Sequence, residues 1–334
     1  MEPPRPLKSF PILRLPFLVI KEVFKTMNPF EIINFSMISK RAKTITKKKT
    51  FYLEYAIHFC VQKPLEIKIH GTNNLVSGHY LMTSDKQKDG KTLEDERDGF
   101  ITRKVFKYSM DSIDEWKQLC KYVLEIFNKQ TIDVLTVFMD VFVDQKISII
   151  DFLKTNVKSV NECNLFQLGE NNNVDEHAKY LLENIKITNK VISWLHIKNG
   201  DFAGKFPKNL KELYLLHSEW MGYEKLLEID SVQVILGGNG ISNMGWNSFI
   251  KKWIAMETHL NLELLDIDFK SLEQFRALVL YDIPHEVVDG SVKRVLKTTD
   301  NETEEISGGV DIRRIDGKTA TFVARDFEFL MSVH

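Results

Sequence analysis

The chain has 334 residues, of which 43% are hydrophobic and 27% charged, a composition that is typical of a folded protein and excludes global disorder. The roughly 18 successive uncharged apolar residues of a membrane span occur nowhere, so we expect no membrane partner. The net charge of −1 is unevenly distributed. Residues 1–55 hold eleven Lys and Arg against four acidic residues, so this end carries +7 and the remainder −8.

A basic end of this kind can contact nucleic acid, an anionic membrane or an acidic protein. Here the basic residues alternate with the apolar positions of a helical pattern. That arrangement favours an acidic protein as the partner and disfavours nucleic acid.

The three cysteines, Cys60, Cys120 and Cys163, are odd in number and far apart in the sequence. This spacing argues against a disulfide framework and against a CxxC metal site. Cys120 lies on the apolar face of a predicted helix, where we expect it to be buried. These features predict a reducing, intracellular location, cytoplasmic or nuclear.

Residues 1–9 are rich in proline and predict a loose tail, whereas residues 10–50 predict three short helices from apolar residues at three- and four-residue spacing. Asn28 is expected to cap the second helix, with Pro29 at its first position and Glu31 completing a capping box. A unit of about 40 residues is too small to bury so many large side chains by itself. The stretch therefore predicts a docking module whose apolar face is completed by another protein or by the rest of this chain.

Five short matches in this stretch carry a family resemblance, namely Leu15-Pro16, Val23-Phe24, Met27, Glu31-Ile32 and Ile38-Ser39-Lys40. These residues resemble the F-box. Ile32, Ser39 and Ala42 depart from the Leu, Cys and Trp that are common there, and the SKRAK segment is similar to the large nematode group of F-box proteins. Residues 51–334 resemble, more loosely, the second type of F-box-associated domain found in that group.

The resemblance implies a substrate receptor of an SCF (cullin-RING) ubiquitin ligase that is not itself an enzyme. The F-box would bind the acidic SCF adaptor and, through it, the cullin and RING subunits, while residues 51–334 would recruit the target protein. The residues expected to bury against the adaptor, or in the F-box's own small core, together with one basic residue expected to meet the adaptor's acids, are Leu15, Pro16, Val23, Phe24, Ile32, Ile33, Ile38 and Lys40.

Between residues 51 and 108 alternating apolar residues predict short strands. Ser84–Gly99 holds ten charged residues and one large apolar residue, which predicts an exposed loop. Ser112 is expected to begin a long helix, with Glu115 completing its capping box.

From there the chain alternates between strand-like and helix-like segments. An apolar-x-x-apolar-x-apolar pattern predicts six strands, which begin at Ile132, Val160, Ile192, Leu210, Ile229 and Leu262. The pattern alone is common by chance, so the evidence lies in the helical segments between copies, notably 174–185 and 244–254. We predict an α/β fold in which parallel strands with helices on one side form an irregular leucine-rich-repeat-like domain. A flat, closed α/β sheet is the competing architecture.

The end of the chain predicts further strands. Thr298–Gly309 is expected to be an acidic polar loop. Asp316-Gly317-Lys318 predicts the turn of a β-hairpin, which we expect to cap the open end of the sheet.

Positions between the inward-facing residues of the predicted strands should point outward and could bind the target protein. The candidate target-binding residues are Trp194, His196, Glu212, Tyr214, Gln233 and Asp266. The alternative is that neighbouring loops cover Trp194 and Tyr214.

We find no Gly-x-Ser-x-Gly, HExxH, Walker or kinase motif, and predict no catalytic residue, cofactor or metal site. Residues 237–240 form the only glycine cluster, which lacks the remaining residues of a phosphate-binding fingerprint and is read as a strand-to-helix turn. Two alternatives to the receptor are a non-ligase scaffold whose N-terminal helices cap a solenoid, and a nucleic-acid binder that uses the basic end.

Overall fold

The computed structural model of the protein describes residues 12–49, 55–71, 76–97, 100–267, 271–298, 302–324 and 329–334. The expected tail at residues 1–9 lies outside the described residues. The chain divides into two units, residues 1–133 and 134–334. None of the helices in the described segments is both long enough and apolar enough to cross a membrane.

The described residues of the first unit form four α-helices and five strands, besides short 3-10 turns. Its helices are α1 (Phe17–Thr26), α2 (Pro29–Met37), α3 (Lys40–Lys49) and α4 (Ser112–Ile126). Its strands are β1 (Tyr55–Val61), β2 (Glu66–Gly71), β3 (Ser77–Thr83), β4 (Thr92–Arg97) and β5 (Phe100–Tyr108). The strands lie in the order β1-β2-β3-β5-β4, and only the β3–β5 pair is parallel.

The three predicted N-terminal helices are confirmed, and so is the capping box of α2. Asn28 Oδ1 accepts hydrogen bonds from the amides of Phe30 at 3.0 Å and Glu31 at 3.1 Å, while Glu31 Oε2 accepts from the Asn28 amide at 2.8 Å. Helix α4 begins at Ser112 as expected, but the predicted capping box, which pairs Ser112 with Glu115, is wrong. Asp111, not Ser112, accepts from the next amides, because its carboxylate reaches Ile113 and Asp114 from the preceding position.

The expected loop at Ser84–Gly99 is wrong, because β4 lies within it and pairs antiparallel with β5. Strand β4 is at the end of the strand order. An edge strand of this kind is protected from aggregation by charged side chains, so its composition is similar to that of a loop.

The second unit alternates strands with helices over most of its length. Its strands are β6 (Thr131–Phe138, which begins at the division between the units), β7 (Ser159–Phe166), β8 (Ile187–Ser193), β9 (Leu210–Leu215), β10 (Ser231–Leu236), β11 (Leu264–Ile267), β12 (Glu286–Lys297), β13 (Thr303–Arg313), β14 (Thr319–Ala324) and β15 (Phe329–Val333). Its helices are α5 (Lys146–Asn156), α6 (Asp175–Asn184), α7 (Tyr223–Glu228), α8 (Asn243–Ile254) and α9 (Leu272–Leu278).

Strands β7 to β11 pair in parallel, each with the next in sequence, as the alternating pattern predicted. The strand order then continues β11-β15-β14-β13-β12 through antiparallel pairs. The coarse α/β prediction is therefore confirmed as a mixed fold with a large sheet. The turn at Gly317, which has φ of +93°, joins β13 to β14 as predicted.

Two details of the second unit differ from the prediction. The strand expected to begin at Ile192 begins earlier, at Ile187. This strand is β8, which ends at Ser193 and places Val191 opposite Cys163 of β7. The expected polar loop at Thr298–Gly309 contains most of β13, whose first residues are exposed and therefore polar.

The core of the second unit is built from large apolar side chains on the helices and the last strands. Trp246, Phe249 and Trp253 of α8 are each no more than 2% exposed. Phe275 of α9 packs against Phe329, with ring centroids 4.2 Å apart. These contacts tie α8 and α9 to the core formed by the parallel and antiparallel strands.

A buried lysine is an unusual feature of this core. Lys146, at the start of α5, is fully buried, and its ammonium donates to the carbonyl oxygen of Phe138 at 2.6 Å. Burial lowers the pKa of Lys146 from 10.5 to about 8, although Asp140 opposes the shift.

We predict that Asn28→Ala lowers the free energy of unfolding by about 1 kcal/mol, because two amides at the start of α2 lose their acceptor. Denaturant unfolding followed by circular dichroism measures the change. Asn34→Ala, at an exposed position of the same helix, is the matched control and should be neutral or slightly stabilising. Equal effects of the two substitutions would contradict the role of the cap.

We predict that the difference in unfolding free energy between the wild type and Lys146→Met changes with pH. Between about pH 8 and 10 the unfolded chain holds a proton that folded Lys146 has lost, so wild-type stability should rise relative to the variant. The slope is at most about 1.4 kcal/mol per pH unit. Urea unfolding across this range measures it, with Lys154→Met on the exposed face of α5 as control. Parallel curves for the wild type and Lys146→Met would contradict the prediction.

Candidate functional site

The inner face of the N-terminal helices is buried within the first unit. Phe24, Ile32 and Ile33, all predicted to contact the adaptor or the helices' own core, are 2%, 2% and 1% exposed. The rings of Phe24 and Phe35 meet edge to face at 5.4 Å, which holds α1 against α2. These predicted residues are therefore core residues of this chain.

Helix α2 is packed directly against strand β3. The Phe30 ring meets Tyr80 edge to face with centroids 4.8 Å apart. A Cβ atom on Gly78 would lie 3.1 Å from Pro29 Cβ and 3.2 Å from Phe30 Cζ, so α2 lies close enough to the strand that a side chain here would have to push these neighbours aside by a few tenths of an ångström. The rest of the chain thus completes part of the apolar face that the short helical unit could not bury alone.

Helix α4 provides a second, more polar contact for the same helices. Ser36 Oγ and the Tyr122 hydroxyl are 2.8 Å apart. Lys43 and Lys47 of α3 form ion pairs with Glu125 at 2.8 and 3.3 Å. The hydrogen bond from Lys43, supported by Lys47, lowers the pKa of Glu125 below its ordinary value. Lys43 and Lys47 of the basic end therefore pair with an acidic residue of this chain.

The outer surface of the helices keeps several exposed apolar side chains. Leu18, Val19, Met37 and Ile38 are 70%, 44%, 53% and 72% exposed. Of these, only Ile38 was among the predicted adaptor-binding residues. Leu18, Val19 and Met37 belong to the same helical pattern, but periodicity alone does not distinguish an inner from an outer face when both are apolar.

The remaining predicted residues of this region lie at or near the surface. Pro16 and Lys40 are exposed, while Leu15 and Val23 are half-buried. We call the exposed set Pro16, Leu18, Val19, Met37, Ile38 and Lys40 the outer helix surface.

The predicted target-binding residues of the strands share one face of the sheet, as their alternation requires. Glu212 pairs in register with Gln233, and Ile235 pairs with both Tyr214 and Asp266. Their expected exposure is wrong, because Glu212, Gln233 and Asp266 are 6%, 2% and 5% exposed.

A polar contact on the same face contributes to the burial of Glu212. Lys190 of β8 bonds Glu212 at 2.7 Å, and its ammonium lies 4.5 Å from the centre of the Tyr214 ring. The long lysine side chain covers both neighbours. Tyr214 itself is half-buried.

Trp194 and His196 lie beyond the end of β8 and belong to an aromatic row. Phe138, Phe166 and Trp194 stack in succession with centroids 5.3 and 6.3 Å apart. His217 meets Trp194 and stacks on His196 at 3.7 Å. Trp194 is 46% exposed, which confirms its expected position at the surface. Sequence reasoning missed Phe138 and Phe166, although Phe166 lies 28 residues before Trp194 and Phe138 lies 28 residues before Phe166.

A further group of titratable side chains lies on the strands of the first unit. His58, Cys60 and His70 lie on one face of the first unit's strands, where burial lowers the pKa of His58 to about 3 and that of His70 to about 4. Within the described segments, no three His, Cys, Asp or Glu side chains are placed to hold a metal ion. At the glycine cluster, a Cβ on Gly237 would lie 2.8 Å from the Leu216 carbonyl oxygen, so close packing accounts for that glycine.

Comparison with known proteins identifies two segments of the chain. The F-box domain family matches residues 12–54, and the F-box associated family matches residues 201–267. The Skn-1 dependent zygotic transcript 15 protein of Caenorhabditis elegans is 23% identical, over 97% of this chain and 96% of that protein. The uncharacterized protein F59B2.9 of the same organism is also 23% identical, over 96% of this chain and 76% of its own length. No solved structure matches the chain.

We predict that Gly78→Leu lowers the free energy of unfolding by about 1–3 kcal/mol, because the new side chain must displace Pro29 and Phe30 of α2. Thermal unfolding of the full chain measures the loss. Gly90→Leu is unsuitable as a control because of its positive φ, so Gly200→Leu, where the Cβ meets open space, serves instead. Equal effects at the two glycines would contradict close packing of α2 on β3.

Proposed function

Because this chain is an F-box protein of the nematode type, with an F-box and an F-box-associated domain, we propose that it is a substrate receptor of an SCF ubiquitin ligase. In this proposal residues 10–50 bind the acidic adaptor and, through it, the cullin and RING subunits. Residues 51–334 hold the target protein through an irregular, leucine-rich-repeat-like domain. The role requires an intracellular location, cytoplasmic or nuclear.

The observation that carries the proposal is that the two faces of the helices differ in exposure. Their inner face is buried by this chain, whereas Leu18 and Ile38 leave 70% and 72% of their surface in water. An exposed apolar set on one group of helices supports the proposal that these helices bind a partner protein. Burying each large apolar side chain in a complex contributes about 1.5–3 kcal/mol.

Charge at the same surface suits an acidic partner. Lys40 is exposed beside Ile38, and Lys48 is exposed near the end of α3. Positive charges at the rim of an interface increase the rate of encounter and select the partner more than they increase affinity. This is why we assign Lys40 to adaptor recognition and the apolar residues to adaptor affinity.

The proposed mechanism is proximity. A target held by residues 51–334 has a high effective concentration near the ubiquitin-loaded enzyme of the ligase, so its lysines are modified there. The receptor supplies binding and orientation and is not catalytic. Proteasomal degradation of the modified target would follow. Exposed Trp194, with half-buried His196 and Tyr214, stays a candidate for target contact, and the buried Glu212, Gln233 and Asp266 would act by shaping that face.

A second candidate function has its own support. The packing of Phe30 on Tyr80 and of α3 on α4 is also what a scaffold would need if its N-terminal helices only covered the end of the fold. Such a scaffold would not need exposed apolar residues on the outer helix surface. The two functions therefore differ in whether that surface binds a partner.

We predict that the purified chain captures the SCF adaptor in stoichiometric amount and that Leu18→Asp/Ile38→Asp weakens capture at least about tenfold. Co-purification with the recombinant adaptor measures this. Met110→Asp, which changes an apolar residue that is 93% exposed elsewhere in the same unit, is the matched control and should bind as the wild type does. Leu15→Ala/Pro16→Ala should weaken capture as well.

Circular dichroism must show that each variant remains folded, which is expected because Pro16, Leu18, Ile38 and Met110 are exposed and Leu15 is only half-buried. Failure of a well-folded wild-type chain to bind the adaptor would contradict the receptor and favour the scaffold. Equal binding by Leu18→Asp/Ile38→Asp would contradict the assignment of the outer helix surface.

A further inference from the structure

The second unit contains a cavity of about 680 Å³ that none of the predicted target-binding residues lines. Every residue that lines it falls between Gly204 and Asn261. This interval lies inside the segment matched by the F-box associated family, residues 201–267. The volume is within the range of about 300–1,000 Å³ that is usual for binding pockets.

The cavity is present because the helical layer is thin at this point. The connection from β8 to β9, residues 194–209, is described throughout and contains no helix. Helix α7, which follows β9, has only 6 residues, compared with 12 in α8. Irregular chain and one short helix cannot fill the layer that longer helices fill beside the neighbouring strands.

The aromatic wall of the cavity is held in place by its own contacts. The indole N–H of Trp220 donates to the His217 carbonyl oxygen at 3.1 Å. The Phe206 ring stacks on Trp220 at 6.3 Å, and Phe202 meets it edge to face at 5.2 Å. Phe206 and Trp220 line the cavity and are only half-buried, so their apolar surface is available to a ligand.

The opposite lining comes from the loop after α8 and is fixed by the C-terminal strands. The carbonyl oxygen of Leu260 accepts from Arg314 Nη1 at 3.0 Å, and the same guanidinium bonds Asp316 at 2.7 Å. Leu260 itself is 47% exposed. His259 beside it is buried, and burial lowers its pKa to about 4, so at neutral pH it adds an uncharged ring to the wall.

Charges of both signs surround these apolar walls. Lys205 and Lys208 come from the loop before β9, and Asp230 and Glu257 come from the loops before β10 and β11. None of the four forms an ion pair with a described residue, whereas Lys225 is paired with Glu228 at 3.0 Å. The cavity therefore presents apolar surface together with unpaired positive and negative groups.

This mixture selects among classes of ligand. A polyanion such as nucleic acid would meet Asp230 and Glu257, and a polycation would meet Lys205 and Lys208. A long acyl chain with one charged end would leave most of these groups without a partner. A polypeptide segment can place an apolar side chain in the middle and charged residues of opposite sign on either side.

Building on the proposed receptor function, we propose that this cavity binds an extended segment of the target protein. The segment inserts one bulky apolar side chain among Phe206, Trp220 and Leu260. Residues next to this anchor pair with Lys205 and Lys208 on one side and with Asp230 and Glu257 on the other. Recognition by one apolar anchor and charged neighbours follows the usual anatomy of peptide and protein interfaces, where a few buried side chains carry most of the affinity.

The test uses the full chain and a random seven-residue peptide library displayed on phage. Enriched peptides should share a Trp, Phe, Leu or Met. A synthetic peptide of the strongest sequence should bind in fluorescence anisotropy, and replacing its anchor by Ala should weaken binding at least about tenfold. Asn261→Trp, which places a large ring at an exposed lining position, should weaken binding by a similar factor.

Two further variants sharpen the test. Lys205→Glu/Lys208→Glu should change the residues preferred on the Lys205 and Lys208 side of the anchor from acidic to basic. Glu224→Trp adds the same ring at an exposed position of α7 that does not line the cavity, and should bind the peptide as the wild type does.

Three results would overturn the cavity as the target site: no enriched peptide, enriched peptides without a shared apolar residue, or binding that Asn261→Trp leaves unchanged. Adaptor capture is measured on the same proteins and should be unaffected by Asn261→Trp. Loss of peptide recognition with intact adaptor capture would remove only the cavity proposal. Peptide binding without adaptor capture would instead remove the ligase receptor on which it rests.

Discussion

The burial of one face of α2 by the rest of the first unit is the constraint on which the functional surface depends. A short helical unit cannot bury Phe30, Ile32 and Ile33 by itself, and here β3 and α4 pack against α2 and complete its burial. Once the inner face is covered, the helices are held in a fixed orientation. The apolar residues that are left, Leu18 and Ile38 among them, are then presented to solvent on a rigid support.

Because of this packing, a docking module and a structural cap can be distinguished by point substitutions but not by truncation. The sequence is compatible with both roles. In the structure, the inner face of the helices is buried by the rest of the first unit, whereas the outer face is exposed and is not needed for packing within this chain. Removing them would expose Tyr80 and Tyr122 of the same unit, so the solubility of a truncated chain cannot separate the two roles. Point changes on the outer face can, because they leave the inner contacts intact.

In the second unit, the parallel strands form the scaffold, and the candidate binding features lie outside them. In-register pairing of β8 to β11 places Glu212, Gln233 and Asp266 on one face, where all three are buried and Glu212 is paired with Lys190. Binding features are instead found where regular structure ends. The aromatic row that includes Trp194 lies at the ends of strands, and the cavity beside Trp220 lies where the helical layer is interrupted. Loops and strand ends carry function because the scaffold between them is already filled.

The sequence by itself determined the local features of this protein. Apolar spacing and the Asn28 capping box specified the N-terminal helices, alternation of segments specified the α/β class, and the Leu15-Pro16 and Val23-Phe24 matches indicated the family. These signals act over a few residues, so no distant contact is needed to read them. Only the tertiary structure decided that Ile33 is internal while Ile38 is exposed, that charged β4 is a strand, and that Phe206, Trp220 and Leu260 surround one cavity. Those outcomes depend on partners far away in the chain, and a side chain's periodic position does not specify what will cover it.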